Sequence, residues 1–240
     1  MQFIDTHIHL QDDKSNNTTE IIAQAINGGI NKMICVSARQ SDWEKVAALA
    51  KQCPDSIIPA FAVHPWYISE SSEDWKNRLA ELLESTPQAL IGECGLDGLK
   101  PDLEKQKQVF AMHLKLAQRY CRPLILHMVK AVPYWDEFAS LLPEKFVVHG
   151  FSGKGEFLQK IVKAGGYVGI GRGLLQSAKA SEMLGLIPQN RLLLESDAPF
   201  QAPNSFVLQT YLSRIAEFLA QPETVLAKRV YQNAEEFIKC

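Results

Sequence analysis

Eight short apolar runs, rich in β-branched residues, alternate along the chain with longer segments of helical period, and this alternation restricts the folds open to it. The runs cover residues 3–7, 32–36, 57–63, 90–93, 123–127, 146–149, 167–170 and 192–195. They are almost continuously apolar rather than alternating, which marks strands covered on both faces, as in a parallel sheet. Between them, residues 42–52 place Trp43, Val46, Ala47 and Ala50 on one helical stripe. Residues 102–120 form a long helix carrying Val109, Phe110, Met112, Leu114 and Leu116, and 157–164 form another that stops at Gly165-Gly166. Residues 205–220 and 223–239 read as a closing helix and one more beyond it. Eight such units in 240 residues predict an α/β fold, a single (β/α)₈ TIM barrel over 1–240 with an extra C-terminal helix. An open doubly wound sheet would announce itself with a glycine-rich turn after its first strand. Here the first strand runs into His7-Ile8-His9 instead. The polar stretch 12–19 reads as a surface loop.

The chemistry lies at the strand ends. His7 and His9 end the first run, Glu93 the fourth, His127 the fifth and His149 the sixth, and Asp197 follows the eighth. Barrel enzymes build their active sites at this C-terminal rim, so residues distant in sequence converge there. Side chains alternate along a strand, so the imidazoles of His7 and His9 share a face while Ile8 turns away. Neutral imidazoles with carboxylates suit a divalent ion, and six donors exceed the set one catalytic ion takes. The pattern therefore predicts two divalent cations per chain with one carboxylate shared. Zinc, manganese, nickel and cobalt suit imidazole-rich donors, and magnesium suits them less well. His113, in mid-helix, lacks this placement and reads as structural or solvent-exposed.

Around these donors stand supporting candidates. Asp197 is the candidate general base, its second oxygen taking a proton from water. Asp5 either orients a ligand or is satisfied by backbone groups. Glu195, two residues before Asp197, reads as a ligand-orienting or substrate-binding group, and Asp97 as a cap for the loop that follows. Pro65 forces His64 toward extended geometry, aiming it across the barrel mouth as a phosphate contact, a leaving-group acid or an orienting donor. Trp66 and Tyr67 either stack on a base or pack over their loop. Gly169-Ile170-Gly171-Arg172-Gly173 permits close backbone approach, with Arg172 as a phosphate clamp. Lys100, Lys130 and Lys154 fall on loops of the same rim, and with Arg172 would make it locally positive.

The net charge of −2 and pI near 6.3, without a basic run, argue against a tight non-specific binder of duplex nucleic acid. They leave room for an enzyme acting on strand ends or on a small phosphoester. The cysteines (Cys35, Cys53, Cys94, Cys121 and Cys240) are odd in number without C-x-x-C spacing, which speaks against disulfides or a structural zinc site. No basic-then-apolar leader and no long apolar stretch appears, so a cytoplasmic monomer without membrane or obligate protein partner is expected.

At its chemical residues the chain resembles the TatD family of metal-dependent deoxyribonucleases, within the amidohydrolase-like barrel enzymes. The resemblance rests on Phe3-Ile4-Asp5-Thr6-His7-Ile8-His9-Leu10, Val63-His64-Pro65, Ile91-Gly92-Glu93-Cys94-Gly95-Leu96-Asp97, Leu126-His127, His149-Gly150-Phe151-Ser152-Gly153, Leu194-Glu195-Ser196-Asp197-Ala198-Pro199 and Asn233-Ala234-Glu235-Glu236-Phe237. These segments occur in the family's order across nearly the whole chain. The resemblance implies that His7, His9 and Asp197 bind one metal, that His127 and His149 bind the second, and that Glu93 bridges. It also implies hydrolysis of nucleic-acid phosphodiester bonds, trimming DNA from an end. Two segments beside the ligands depart from the family. Gly98-Leu99-Lys100 replaces an aromatic residue and Arg, and Met128-Val129-Lys130-Ala131 replaces Ser-Arg-Asp-Ala. The same barrel and metals would also serve hydrolysis of a small amide, ester or lactone, or a non-catalytic metal-binding module.

Overall fold

The computed structural model describes residues 1–13 and 17–239. Eight parallel strands follow one another around the sheet in chain order. They are β1 (Phe3–Ile8), β2 (Ile30–Val36), β3 (Ile57–Phe61), β4 (Leu90–Asp97), β5 (Leu124–Val129), β6 (Phe146–Val148), β7 (Tyr167–Ile170) and β8 (Leu192–Leu194). The segment after β8 closes the ring on β1. The Asp197 amide donates to His7 O (2.9 Å), the His9 amide to Ala198 O (2.8 Å) and Thr6 Oγ1 to Leu194 O (3.0 Å). The chain is thus a (β/α)₈ barrel, and the bonds that seal it run through three of the candidate site residues, His7, His9 and Asp197.

The helices cover the outside: α1 (Thr18–Asn27), α2 (Trp43–Gln52), α3 (Trp75–Ser85), α4 (Leu103–Tyr120), α5 (Trp135–Phe138), α6 (Gly155–Lys163), α7 (Arg172–Leu175), α8 (Ala180–Leu186) and α9 (Val207–Phe218), followed by the extra C-terminal helix α10 (Glu223–Ile238). Two apolar layers result. The larger fills the space between strands and helices. The smaller takes at least one residue from every strand, among them Ile4, Ile34, Leu90, Ile125, Val147, Tyr167 and Leu193, and fills the barrel's N-terminal end. Ala234 and Phe237 of α10 join it, with the Phe237 ring 5.3 Å from that of Tyr167. Asn233 fastens the same helix by donating to Gln189 O and Leu192 O at 2.8 and 2.9 Å. The C-terminal motif therefore plugs the end of the barrel opposite the polar rim.

Most elements fall within two residues of their expected positions. The main difference is β4, which runs four residues past Glu93 because Gly95, Leu96 and Asp97 pair with His127, Met128 and Val129. A shift of register between Ile91 and Cys94 turns Gly92 and Glu93 inward, while Ile91 and Cys94 both join the outer layer. Gly95, at φ 139°, lies against the His127 backbone where a Cβ would collide with the carbonyl. The expected loop 12–19 lies partly outside the described residues, and its far end opens α1 at Thr18.

Candidate metal centre

At the C-terminal ends of the strands the structure brings His7, His9, His64, Glu93, His127, His149 and Asp197 together at the floor of a cleft of about 740 Å³. Glu93 is the hub. Its Oε2 faces His7 Nε2 at 3.3 Å and His9 Nε2 at 3.7 Å. Its Oε1 faces His149 Nε2 at 2.6 Å, His127 Nδ1 at 2.8 Å and His64 Nε2 at 3.2 Å. Asp197 adds Oδ1 to the first group, 3.5 Å from His9 Nε2 and 4.0 Å from His7 Nε2. One carboxylate thus serves two donor groups, with one oxygen turned to each.

The donor set fits divalent cations. His7 Nε2 and His9 Nε2 stand 3.1 Å apart with carboxylate oxygens beside both. Nitrogen and oxygen ligands about 2.0–2.2 Å from a zinc-like ion lie roughly 3–3.5 Å from one another. Asp197 itself has φ 50°, an uncommon conformation for a non-glycine residue, and Asp is among the side chains that tolerate it.

Protonation follows the same division. Burial opposes ionisation of Glu93, yet His149, His64 and His127 outweigh it and hold the carboxyl well below its usual range. Burial likewise opposes Asp197, but the His9 contact and the nearby His7 and His149 bring it to about 2. Burial would discharge His149, but Glu93 and Glu195 raise it well above an ordinary imidazole. His9 and His127 rise for the same reason, against burial, through Asp197 and Glu93 for one and Asp97 and Glu93 for the other. His7 goes the other way, lowered by burial and by His149, whose ring stacks on it at 4.0 Å. Protons on His9, His127 and His149 thus balance the buried carboxylates, in places where cations would displace them.

The outer contacts sort the supporting candidates. Asp97 Oδ2 faces His127 Nε2 at 3.2 Å and accepts from Trp66 Nε1 at 2.6 Å, while Oδ1 caps the loop by accepting from the Leu99 amide. With Asp97 holding the Nε2 proton, Nδ1 is the His127 nitrogen turned to Glu93 and the one that would ligate a cation once its own proton is displaced. Asp97 therefore orients His127 as well as capping, a role hidden in the sequence because β4 looked finished at Glu93. His64 is held in one tautomer. Its Nδ1 accepts from the Trp66 backbone amide at 3.1 Å, so in the neutral ring the proton sits on Nε2, facing Glu93 Oε1. Burial lowers its pKa to about 4, which keeps it neutral at pH 7. As the neutral ring His64 turns an N–H toward Glu93, while its Nε2 also stands with Glu93 and His127 in one of the groups that could hold a metal ion.

Asp5 touches no donor imidazole. Its carboxylate accepts from the His7 and Ser196 amides and the Ser196 and Ser205 hydroxyls, tying β1 to the segment after β8. Glu195 is 1% exposed and lies behind His149, its Oε1 accepting from the Gly150 amide. It does not reach the cleft, contrary to its expected contact with substrate, and stands 3.7 Å from His149 Nδ1. Gly169 leaves room for this carboxylate, which a Cβ there would strike. Arg172 is exposed at the start of α7, and its Nη1 donates at 3.3 Å to the carbonyl of Gln201, a residue that lines the cleft. To clamp a phosphate, as read into that glycine-rich segment, it would have to leave this carbonyl. Lys130 and Lys154 do line the cleft, both exposed. His113 is buried in α4, accepting from the Val63 amide and stacking on Trp75, a structural residue. Gln201, whose Nε2 donates to Asp197 Oδ2 at 2.7 Å, carries no motif that marks it in the sequence.

A (β/α)₈ barrel with histidines and carboxylates gathered at the C-terminal rim defines a metal-dependent hydrolase. The family described as TatD related DNase matches residues 4–239. The chain is 32% identical over 217 residues to the uncharacterized metal-dependent hydrolase YjjV of Escherichia coli (strain K12), which covers 85% of this chain and 82% of that protein. It is 31% identical over 195 residues to the 3'-5' ssDNA/RNA exonuclease TatD of Erwinia tasmaniensis, covering 77% and 74%. The crystal structure of YJJV, a TatD homologue from Escherichia coli K12, matches with a TM-score of 0.90 at 27% identity, over 98% of this chain and 97% of that one. The chain belongs to the TatD-related DNase family. No helix among the described residues is long and apolar enough to cross a membrane.

Proposed function

We propose that the protein is a phosphodiesterase that trims nucleic-acid strands from an end. In this reading His7, His9 and Asp197 would hold one divalent cation and His127 and His149 a second, with Glu93 shared between them. The observation that carries it is the division of Glu93, with Oε2 toward His7 and His9 and Oε1 toward His127 and His149. The substrate class comes from relatives named as exonucleases on single-stranded DNA and RNA. Two such cations, of zinc, manganese, nickel or magnesium, would lower the pKa of water and neutralise charge on the phosphoryl oxygens.

The chain's own groups supply the rest. Asp197 stays ionised, and Gln201 fixes its Oδ2 while leaving a lone pair free to accept the proton of the attacking water. His64 Nε2–H donates to a phosphoryl or leaving-group oxygen above Glu93. Lys130 and Lys154 sit where neighbouring phosphates of a strand would pass, providing the local positive charge that the net charge of −2 conceals.

The test offers the metal-loaded protein single-stranded DNA, single-stranded RNA, blunt and recessed duplexes, and a panel of small esters, amides and lactones. Release of nucleotides from one end is expected, with Asp197→Asn slower by at least about a hundredfold. No nucleotide release with any of the metals, alongside amide or lactone turnover, would overturn the proposal. Near-normal turnover by the Asp197→Asn variant would overturn the assignment of Asp197 as the base.

A further inference from the structure

Two large aromatic side chains remain open in a cleft whose other aromatics are covered. Phe200 is 61% exposed and Trp66 is 47% exposed, and both line the cleft. Phe151 and Phe157, in the same wall, are buried. Tyr67 is also spoken for, with the Arg39 guanidinium 4.1 Å from its ring centroid and Arg39 Nη2 donating to its hydroxyl.

The open pair flanks the two halves of the metal centre. The Phe200 ring stands 5.0 Å from that of His9, in the group around Glu93 Oε2. The Trp66 ring stands 5.2 Å from His64 and 6.1 Å from His127, in the group around Glu93 Oε1. Trp66 is also fixed in place, because its indole Nε1 donates to Asp97 Oδ2. Lys100 Nζ lies over the Trp66 ring, 4.2 Å from its centroid, but Lys100 does not line the cleft that Trp66 lines, so the ammonium covers one face of the indole and the platform is the part of the ring exposed in the cleft.

We infer that Phe200 and Trp66 are two nucleobase platforms, one on each side of the phosphate to be cut, and that they take consecutive unpaired bases by stacking. The inference rests on the phosphodiesterase reading. A phosphodiester seated over Glu93 carries one nucleoside toward His9 and one toward His127, and an open ring waits on each side. The occupant is a nucleic-acid strand rather than an apolar peptide because the cleft mouth adds Lys130 and Lys154 to Lys100. Stacking tolerates any base but needs a free base face, which a base already stacked within a duplex does not offer. Discrimination between single and double strands then lies in two side chains rather than in the metal ligands.

Trp66 also provides the signal for the test, since Trp43, Trp75 and Trp135 are buried. The metal-loaded protein is titrated with a short fluorescein-free oligodeoxynucleotide whose linkages are phosphorothioate, and with the same strand abasic at its terminal or penultimate nucleotide. Tryptophan emission is followed, and affinity is measured by calorimetry for the wild type, Phe200→Ala, Trp66→Leu and Trp66→Phe. The intact strand is expected to quench emission, and Phe200→Ala and Trp66→Leu each to weaken its binding on the order of tenfold. Each loss should vanish on the strand abasic at one of the two positions, a different position for each residue. Trp66→Phe, which drops the bond to Asp97 but keeps a ring, should retain this pairing. Equal losses on intact and abasic strands, or no loss, would overturn the inference while leaving the nuclease reading intact. A wild-type protein that neither binds nor trims any strand would overturn both.

Discussion

Glu93 does two things with one carboxylate, and the residues around it are arranged so that it can. Each neighbour turns a single atom toward it, and for His127 and His64 a further contact selects that atom. Asp97 accepts from Nε2 of His127 and leaves Nδ1 inward, whereas the Trp66 amide donates to Nδ1 of His64 and leaves an N–H inward. Two histidines at similar distances from Glu93 Oε1 therefore turn different nitrogens to it, Nδ1 in His127 and Nε2 in His64. His64→Gln should keep the metal content of the wild type, measured by elemental analysis, and lose turnover by about a hundredfold. Asp97→Asn should weaken metal binding about 10- to 100-fold in a calorimetric titration. A lost equivalent of metal in His64→Gln, or unchanged affinity in Asp97→Asn, would reverse the two roles.

At the scale of elements, the barrel's two ends divide the work. The C-terminal rim collects charge, and the N-terminal end is filled by apolar residues of every strand together with Phe237 of α10. Phe237→Ala should cost about 3–5 kcal/mol in chemical denaturation, since the ring is fully buried, while metal stoichiometry stays unchanged. A cost under about 1 kcal/mol would mean that α10 is an ornament rather than a plug. The strands were legible because parallel strands buried on both faces are apolar runs, and the six donors because each ends such a run. What escaped the reading depends on register and packing. Nothing in Gly95-Leu96-Asp97 signals that β4 continues, so Asp97 looked like a loop cap alone. The parity of Glu195 with Asp197 suggested a place in the cleft, but the backbone turns at Asp197 and leaves Glu195 behind His149. Arg172 follows a strand end like the others, yet α7 begins there and its guanidinium bonds to Gln201 O.

For the whole molecule, the charged centre couples stability to pH. Asp97 and Asp197 have pKa values of about 2, below their ordinary 3.8, so they stabilise the fold above pH 3.8 and that share is lost as pH falls through 2. His9, His127 and His149 are raised above 6.5, so their share is complete below 6.5 and lost as pH rises through their folded values. Asp5, raised to about 6 by burial despite its four donors, adds to the decline between 3.8 and 6. With chelator present, the denaturation midpoint should therefore be highest in mildly acid solution and fall on both sides. Divalent metal should restore the alkaline side, because it binds deprotonated imidazoles. A chelated protein most stable above pH 8 would contradict this balance. The central claim, that one carboxylate joins two cation sites, is tested most directly by anomalous diffraction from metal-loaded crystals. The account predicts two peaks, one touching His7, His9 and Asp197 and the other His127 and His149, with Glu93 giving one oxygen to each. A single peak, or a second ion held by His64 Nε2 without Glu93, would contradict it.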